Sequence, residues 1–172
     1  MFQIPENEAD RLAALVGYGI LDSDFEESFD RVTRIAANIF NVPIALVSLV
    51  DGTRQWFKSA IGLPVRETSR VISFCTHAIL GTEVFVVRDA SIDPAFSTNP
   101  LVTGDPKIRF YAGAPLINPK GYALGTMCVI DRSPRDGMDA RHQAILTDLA
   151  GIVVDLMERR WLKRRMGQGG SV

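Results

Sequence analysis

Residues 42–51 read VPIALVSLVD, and the reading of this stretch decides how its surroundings fold. Ile44 to Val50 are mostly apolar and rich in Val and Ile, a strand-sized run far too short to span a bilayer. Asp51–Gly52 turns the chain into a second strand over about 55–61. There Trp56 and Lys58 share one face and Phe57 takes the other, so either Trp56 packs under a helix with Lys58 in solvent, or this is an edge strand whose Trp56 stabilises a loop or a partner subunit. On the upstream side Asn41 can close a helix in the left-handed conformation, and Pro43 cannot continue one.

Toward the N-terminus, Ser23–Asp24–Phe25–Glu26 has the pattern of a capping box. The helix that it opens carries Phe25, Phe29, Val32, Ala36 and Ile39 as one apolar stripe. Before it, a short helix over 8–16 places Leu12, Leu15 and Val16 on one side, and Gly17 and Gly19 end it. Toward the C-terminus, a polar loop with Pro64 leads to SFCTHAIL, residues 73–80, where Ser73 is a helix N-cap and Gly81 a stop. A strand over 84–87 precedes a loop from Asp89 to Lys107 that is rich in Asp, Pro, Ser and Asn. A connection this long inside one domain is more often functional than idle. Phe110–Leu116 and Ala123–Ile130 form a hairpin across Asn118–Gly121. The last helix, about 139–165, sets Ile145, Leu149, Ile152 and Leu156 on one seam, widened by Val153 and Met157.

Antiparallel strands with helices gathered on one face make an α+β domain. Residues 1–22 form an N-terminal helical segment, 23–157 the body, and 158–172 a basic helix end with a disordered tail. The chain of 172 residues can close one hydrophobic core. A formal net charge of −1 gives no basic field for nucleic acid, and no segment suits membrane insertion. The acidic start MFQIPENEAD is not a signal peptide, so the chain reads as cytoplasmic, with its two cysteines reduced. Acidic residues crowd positions 1–30, and Arg159, Arg160, Lys163, Arg164 and Arg165 crowd the far end. The two ends are either solvated faces or meet, within a chain or across a dimer.

Several stretches together resemble a bacterial GAF domain: VPIALVSLVD, RQWFKS at 54–59, SFCTHAIL, DPAF at 93–96, NPLV at 99–102, IRFYAGAPL at 108–116 and LGTMCVID at 124–131. The subgroup is the one often found in front of diguanylate cyclase or histidine kinase modules. The resemblance implies a PAS-like central antiparallel sheet, a pocket between the sheet and the third-helix and long-loop region, and helical ends that often dimerise. It implies no particular ligand or activity, because function resides in the site.

Cys75 and His77 are the chemically suggestive pair. On a helix, positions two apart point to opposite sides, so they neither share a metal nor form a nucleophile–base pair. Zinc would need about four ligands, and His142 is the only other histidine. Bilin-binding relatives carry Cys directly followed by His, whereas Thr76 intervenes here. A free methionine sulfoxide reductase needs a nucleophilic and a resolving cysteine, and Cys75 and Cys128 lie in other contexts. These readings leave Cys75 as a small buried hydrophobe and His77 as a pocket-lining or core residue. The candidate ligand-binding residues are Phe74, His77, Asp93, Phe96, Asn99, Arg109 and Tyr111, with neither a catalytic residue nor a metal ligand among them. Arg109 and Tyr111 share a strand face, and the Arg109 fork suits a carboxylate or phosphate, or an ion pair to Asp93 or Asp105 that pins the loop. Gly113, Ala114 and Gly125 permit close approach of a helix to the sheet. No cofactor is identifiable. Leu149, Ile152, Val153, Leu156 and Trp161 are the candidate homodimer interface of a sensory, non-catalytic domain, with an enzyme or a photoreceptor on the same fold as the alternative.

Overall fold

The computed structural model describes residues 2–169. Six strands form one antiparallel sheet: β1 (Ile44–Val50), β2 (Arg54–Ile61), β3 (Glu67–Ser69), β4 (Phe85–Val87), β5 (Phe110–Ile117) and β6 (Ala123–Asp131). Their spatial order is β3–β2–β1–β6–β5–β4. Three helices cover one face: α1 (Glu8–Gly17), α2 (Glu27–Phe40) and α5 (Ala140–Gln168). The other face carries the single turns α3 (Cys75–Ala78) and α4 (Pro100–Thr103) with their connecting segments. The expected α+β architecture, with helices mainly on one face, is the one found.

Both faces being covered explains why every residue of β1 is buried. Ala45, Val47 and Leu49 join the helical core, and Ile44, Leu46 and Val50 join the opposite one. On β2, Trp56 and Phe57 divide in the same way, as the alternation predicts. Lys58 departs from its expected solvent exposure. It is fully buried, and Nζ donates to Ser23 Oγ at 2.8 Å and to Glu26 Oε2 at 2.6 Å.

That demand also displaces the expected capping box. Ser23 is held by Lys58, α2 begins at Glu27, and Phe25 lies outside the helix against the Arg66 guanidinium. The buried stripe is therefore Phe29, Val32, Thr33, Ala36 and Phe40, while Ile39 faces solvent. Asn41 closes α2 at φ 50, ψ 55, as its type suggests. On α1, Leu15 is buried but Val16 is exposed, and Arg11 takes the inward position. Its Nη1 donates to Val50 O at 2.7 Å, which satisfies a strand end.

The α5 seam is rotated from its expected place. Leu146, Leu149, Ala150, Val153 and Met157 enter the core, Leu156 and Trp161 pack partly buried against it, and Ile152 is exposed. Leu149 and Val153 are thus committed to the chain's own core and are not free for a partner. The helix also continues through Gly167 and Gln168, which the expected disordered tail included, and residues 170–172 lie outside the described region. The acidic and basic ends meet within the chain. Arg160 Nε donates to Glu26 Oε2 at 2.7 Å, and Arg164 Nη1 donates to Tyr18 O at 3.1 Å. Gly19 sits beneath Arg164 at φ +56, where a Cβ would fall 1.5 Å from Arg164 Nη1.

Gly113 and Gly125 are small for reasons other than helix approach. A Cβ on Gly113 would meet Tyr111 Oη at 2.3 Å, and one on Gly125 would meet Ser48 O at 1.9 Å on the neighbouring strand. Among the described residues no helix is long and apolar enough to cross a membrane.

Candidate functional site

The face opposite the long helices holds a cavity of about 300 Å³. Its floor is sheet: Leu46 of β1, Gln55 and Phe57 of β2, Tyr111 of β5 and Ile130 of β6. Its walls come from the 63–65 connection, from Phe74 and Cys75, and from Leu101 to Ile108. The floor residues share a face because strand side chains alternate, so Leu46 and Ile130 back directly onto residues that hold α2 and α5.

Two of the seven candidates, Phe74 and Tyr111, line this cavity. Phe74 stacks on Phe96 at 4.1 Å between centroids and lies 5.3 Å from the Tyr111 ring. His77 meets Phe96 edge-on at 4.8 Å and stacks near Phe85 at 6.2 Å. The structure therefore brings Phe74, His77, Phe96 and Tyr111 into one aromatic cluster beside the cavity. Burial lowers the pKa of His77, and the Asp93 charge only partly opposes this.

The remaining candidates build the loop instead. Asp93 Oδ1 accepts from Ala95 N at 2.8 Å. Asn99 Oδ1 caps α4 by accepting from Leu101 N at 2.9 Å, while Nδ2 donates to Ile72 O at 3.0 Å. Arg109 Nη1 donates to the carbonyls of Val102 and Ile108 at 3.0 and 2.9 Å. The guanidinium pins the loop through backbone oxygens, in place of the ion pair with Asp93 or Asp105 that the sequence suggested.

Cys75 and His77 diverge, as helical spacing requires. Cys75 points at the sheet, where Tyr111 Oη and Thr126 Oγ1 donate to Sγ at 3.3 and 3.1 Å. Burial opposes ionisation of Cys75, yet donors from Cys128, Thr126, Tyr111 and Ser48 draw it down. Burial and the neighbouring Cys75 push Cys128 up. Among the described residues no cluster of three or more His, Cys, Asp or Glu is placed to hold a metal ion.

Gln55 is the polar residue that the sequence reading passed over. Its Oε1 accepts from Ser73 Oγ at 2.8 Å and from Ser48 Oγ at 3.3 Å, and Nε2 donates to Thr68 Oγ1 at 2.6 Å. The signal was available: once Phe57 faces away from Trp56, Gln55 must face with it.

Comparison with known proteins agrees with this architecture. Over 150 residues the chain is 47% identical to a protein of Pseudomonas aeruginosa (strain PAO1) named as a cyclic di-GMP phosphodiesterase. That match covers 87% of this chain and 26% of the relative, so the chain spans about a quarter of that protein's length. Among solved structures, the GAF domain of the Acinetobacter phosphoenolpyruvate-protein phosphotransferase superposes with a TM-score of 0.65 at 17% identity, covering 91% of this chain and 95% of that one. A type II free methionine-R-sulfoxide reductase from Thermoplasma acidophilum gives 0.62 at 11% identity, covering 77% and 92%. At such identities these two likenesses speak of the fold alone. A model of the GAF domain matches residues 24–154, from the linker before α2 well into α5, and the chain belongs to that family.

Proposed function

We propose that this GAF domain is a sensory module without turnover of its own, which binds a small molecule in the cavity beneath Leu101–Ile108 and reports it through α1 and α5. The observation that carries the reading is the shared sheet. Leu46 and Ile130 face the cavity from the same two strands whose Ala45 and Val129 face the helical core. An occupant that shifts β1 or β6 acts on the wall against which α5 rests, and a packed core transmits such a shift rather than absorbing it.

The relationship to a protein named as a cyclic di-GMP phosphodiesterase supports a place in cyclic di-GMP signalling. In this reading the chain regulates a cyclic di-GMP hydrolysing module and does not perform the hydrolysis. A homodimer is part of the same proposal. With Leu149 and Val153 inside the core, its surface would be the apolar residues left outside on α2 and α5, namely Ile35, Ile39 and Ile152.

Hydrogen exchange on the 172-residue chain tests the reading. Filling the cavity with a small neutral aromatic probe is expected to change protection both at the cavity floor and in α5 between Leu146 and Met157. A change confined to the cavity would sink transmission through α5. Release of linear dinucleotide from cyclic di-GMP by this chain, or thiol-dependent loss of free methionine sulfoxide, would show that it is an enzyme.

A further inference from the structure

We infer that the cavity selects a neutral, mostly apolar molecule of about one ring system, which carries one oxygen acceptor, and that it rejects nucleotides. The inference rests on the cavity being the ligand site.

Size comes first. About 300 Å³ holds on the order of ten to fifteen non-hydrogen atoms at interior density. A nucleoside with its phosphate exceeds that, and a cyclic dinucleotide far exceeds it.

Charge decides more sharply. No lysine, arginine or histidine lines the cavity. Arg109 is held on two loop carbonyls and Lys107 on Thr103 O, while Arg66 lies over the Phe25 ring and Arg70 pairs with Glu8, and none of the four lines the cavity. An anion placed here would lose its hydration and find no opposite charge to offset it, which is costly in an apolar site. The one formal charge on the wall is Asp105, exposed at the edge, and its carboxylate repels anions further.

The remaining specificity comes from Gln55. A carboxamide nitrogen carries two hydrogens, and Gln55 Nε2 spends one on Thr68 Oγ1. The Thr68 hydroxyl accepts that bond and keeps its own proton. One N–H and one O–H are thus available side by side where the apolar floor meets β3, an arrangement that suits a single carbonyl or ether oxygen.

Three probes of nearly equal size separate these claims: acetophenone (neutral with an acceptor), isopropylbenzene (neutral without one) and benzoate (anionic). Amide chemical shifts of Leu46, Phe57 and Ile130 in the intact chain report occupancy. Acetophenone is expected to bind at least tenfold more tightly than benzoate and severalfold more tightly than isopropylbenzene. Gln55→Leu should erase the preference over isopropylbenzene. Asp105→Lys, at an exposed position that leaves the core untouched, should narrow the gap to benzoate and serves if Gln55→Leu fails to fold. Benzoate or cyclic di-GMP binding at these residues as tightly as acetophenone would overturn the inference and leave the cavity a ligand site. Equal binding of acetophenone and isopropylbenzene would overturn the role given to Gln55 and Thr68. If no probe moves these amides, both the inference and the ligand-site reading fall.

Discussion

Arg160 on α5 donates from Nε to Glu26 Oε2 at 2.7 Å, joining two residues 134 positions apart. The same oxygen accepts from the fully buried Lys58 at 2.6 Å. Glu26 therefore links the linker before α2, the sheet and the terminal helix through one carboxylate. Glu26→Gln is expected to cost about 1–3 kcal/mol, because Lys58 and Arg160 lose the carboxylate charge that they share, and the neutral carboxamide oxygen cannot replace it. Denaturant melts measure the cost, and hydrogen exchange should show α5 fraying from Arg160 onward. A variant as stable as the parent would deny Glu26 this linking role.

Glu8 supplies a pH dependence of known sign. Burial raises its pKa, but the Arg11 and Arg70 guanidiniums outweigh burial and hold it at about 2, against an ordinary 4.5. A depressed carboxylate stabilises the fold fully above its unfolded value and loses that contribution as pH falls toward the folded one. The gap between parent and Glu8→Gln should thus be about 1–2 kcal/mol at pH 7 and close between roughly pH 4.5 and 2. A pH-independent gap would mean that the Glu8 carboxylate keeps its ordinary affinity for protons.

Cys75 is held as a hydrogen-bond acceptor as well as a packing group. Cys75→Ala strands the Tyr111 and Thr126 hydroxyls and should cost about 2–4 kcal/mol, whereas Cys75→Ser restores an acceptor and should cost less. Thermal melts of the two variants with Cys128→Ser as reference decide this. Equal losses in Ala and Ser would reduce Cys75 to its volume alone.

The helical surface makes opposite demands on two adjacent residues. Ile152 is 47% exposed and Val153 is wholly buried. Ile39→Glu with Ile152→Glu should give a folded monomer by sedimentation, with stability changed by about 0.5 kcal/mol or less per site in the monomer. Val153→Glu should unfold the chain, since it buries an unpaired charge in the core. A parent chain that sediments as a monomer at tens of micromolar (a loose scale for weak association) would remove the dimer from the proposal.

Five of the six strands, their turns and the side-chain alternation on β2 were legible because each depends on neighbours along the chain, whereas β3 fell in what reads as a polar loop, since its three residues become a strand only by pairing with β2. Asn41 could be read for the same reason, since a left-handed helix end favours its residue type. What could not be read were ions and apolar residues placed by distant partners. Lys58 looks like a surface residue until Glu26 is brought beside it, and Arg11 like a helix flank until the β1 end needs a donor. The α5 seam failed more subtly. Ile145, Ile152 and Leu156 obey helical spacing as well as Leu146, Val153 and Met157 do, and only the sheet determines which stripe is inside. In the candidate site, the aromatic residues were recognisable by type. The loop bonds of Arg109 and Asn99 could not be read, because a donor that satisfies loop carbonyls carries the same letter as one that binds a ligand.

The two outer strands, β3 and β4, are each only three residues long. A foreign strand arriving at β3 or β4 would find only three residues to register against, which weakens strand addition on either of them. The proposed pairing of helical surfaces, in contrast, would close on itself about a twofold axis. The rim of this domain is thus trimmed to short strands, and a template for filament growth would have to begin on the uncovered ends of β2 and β5.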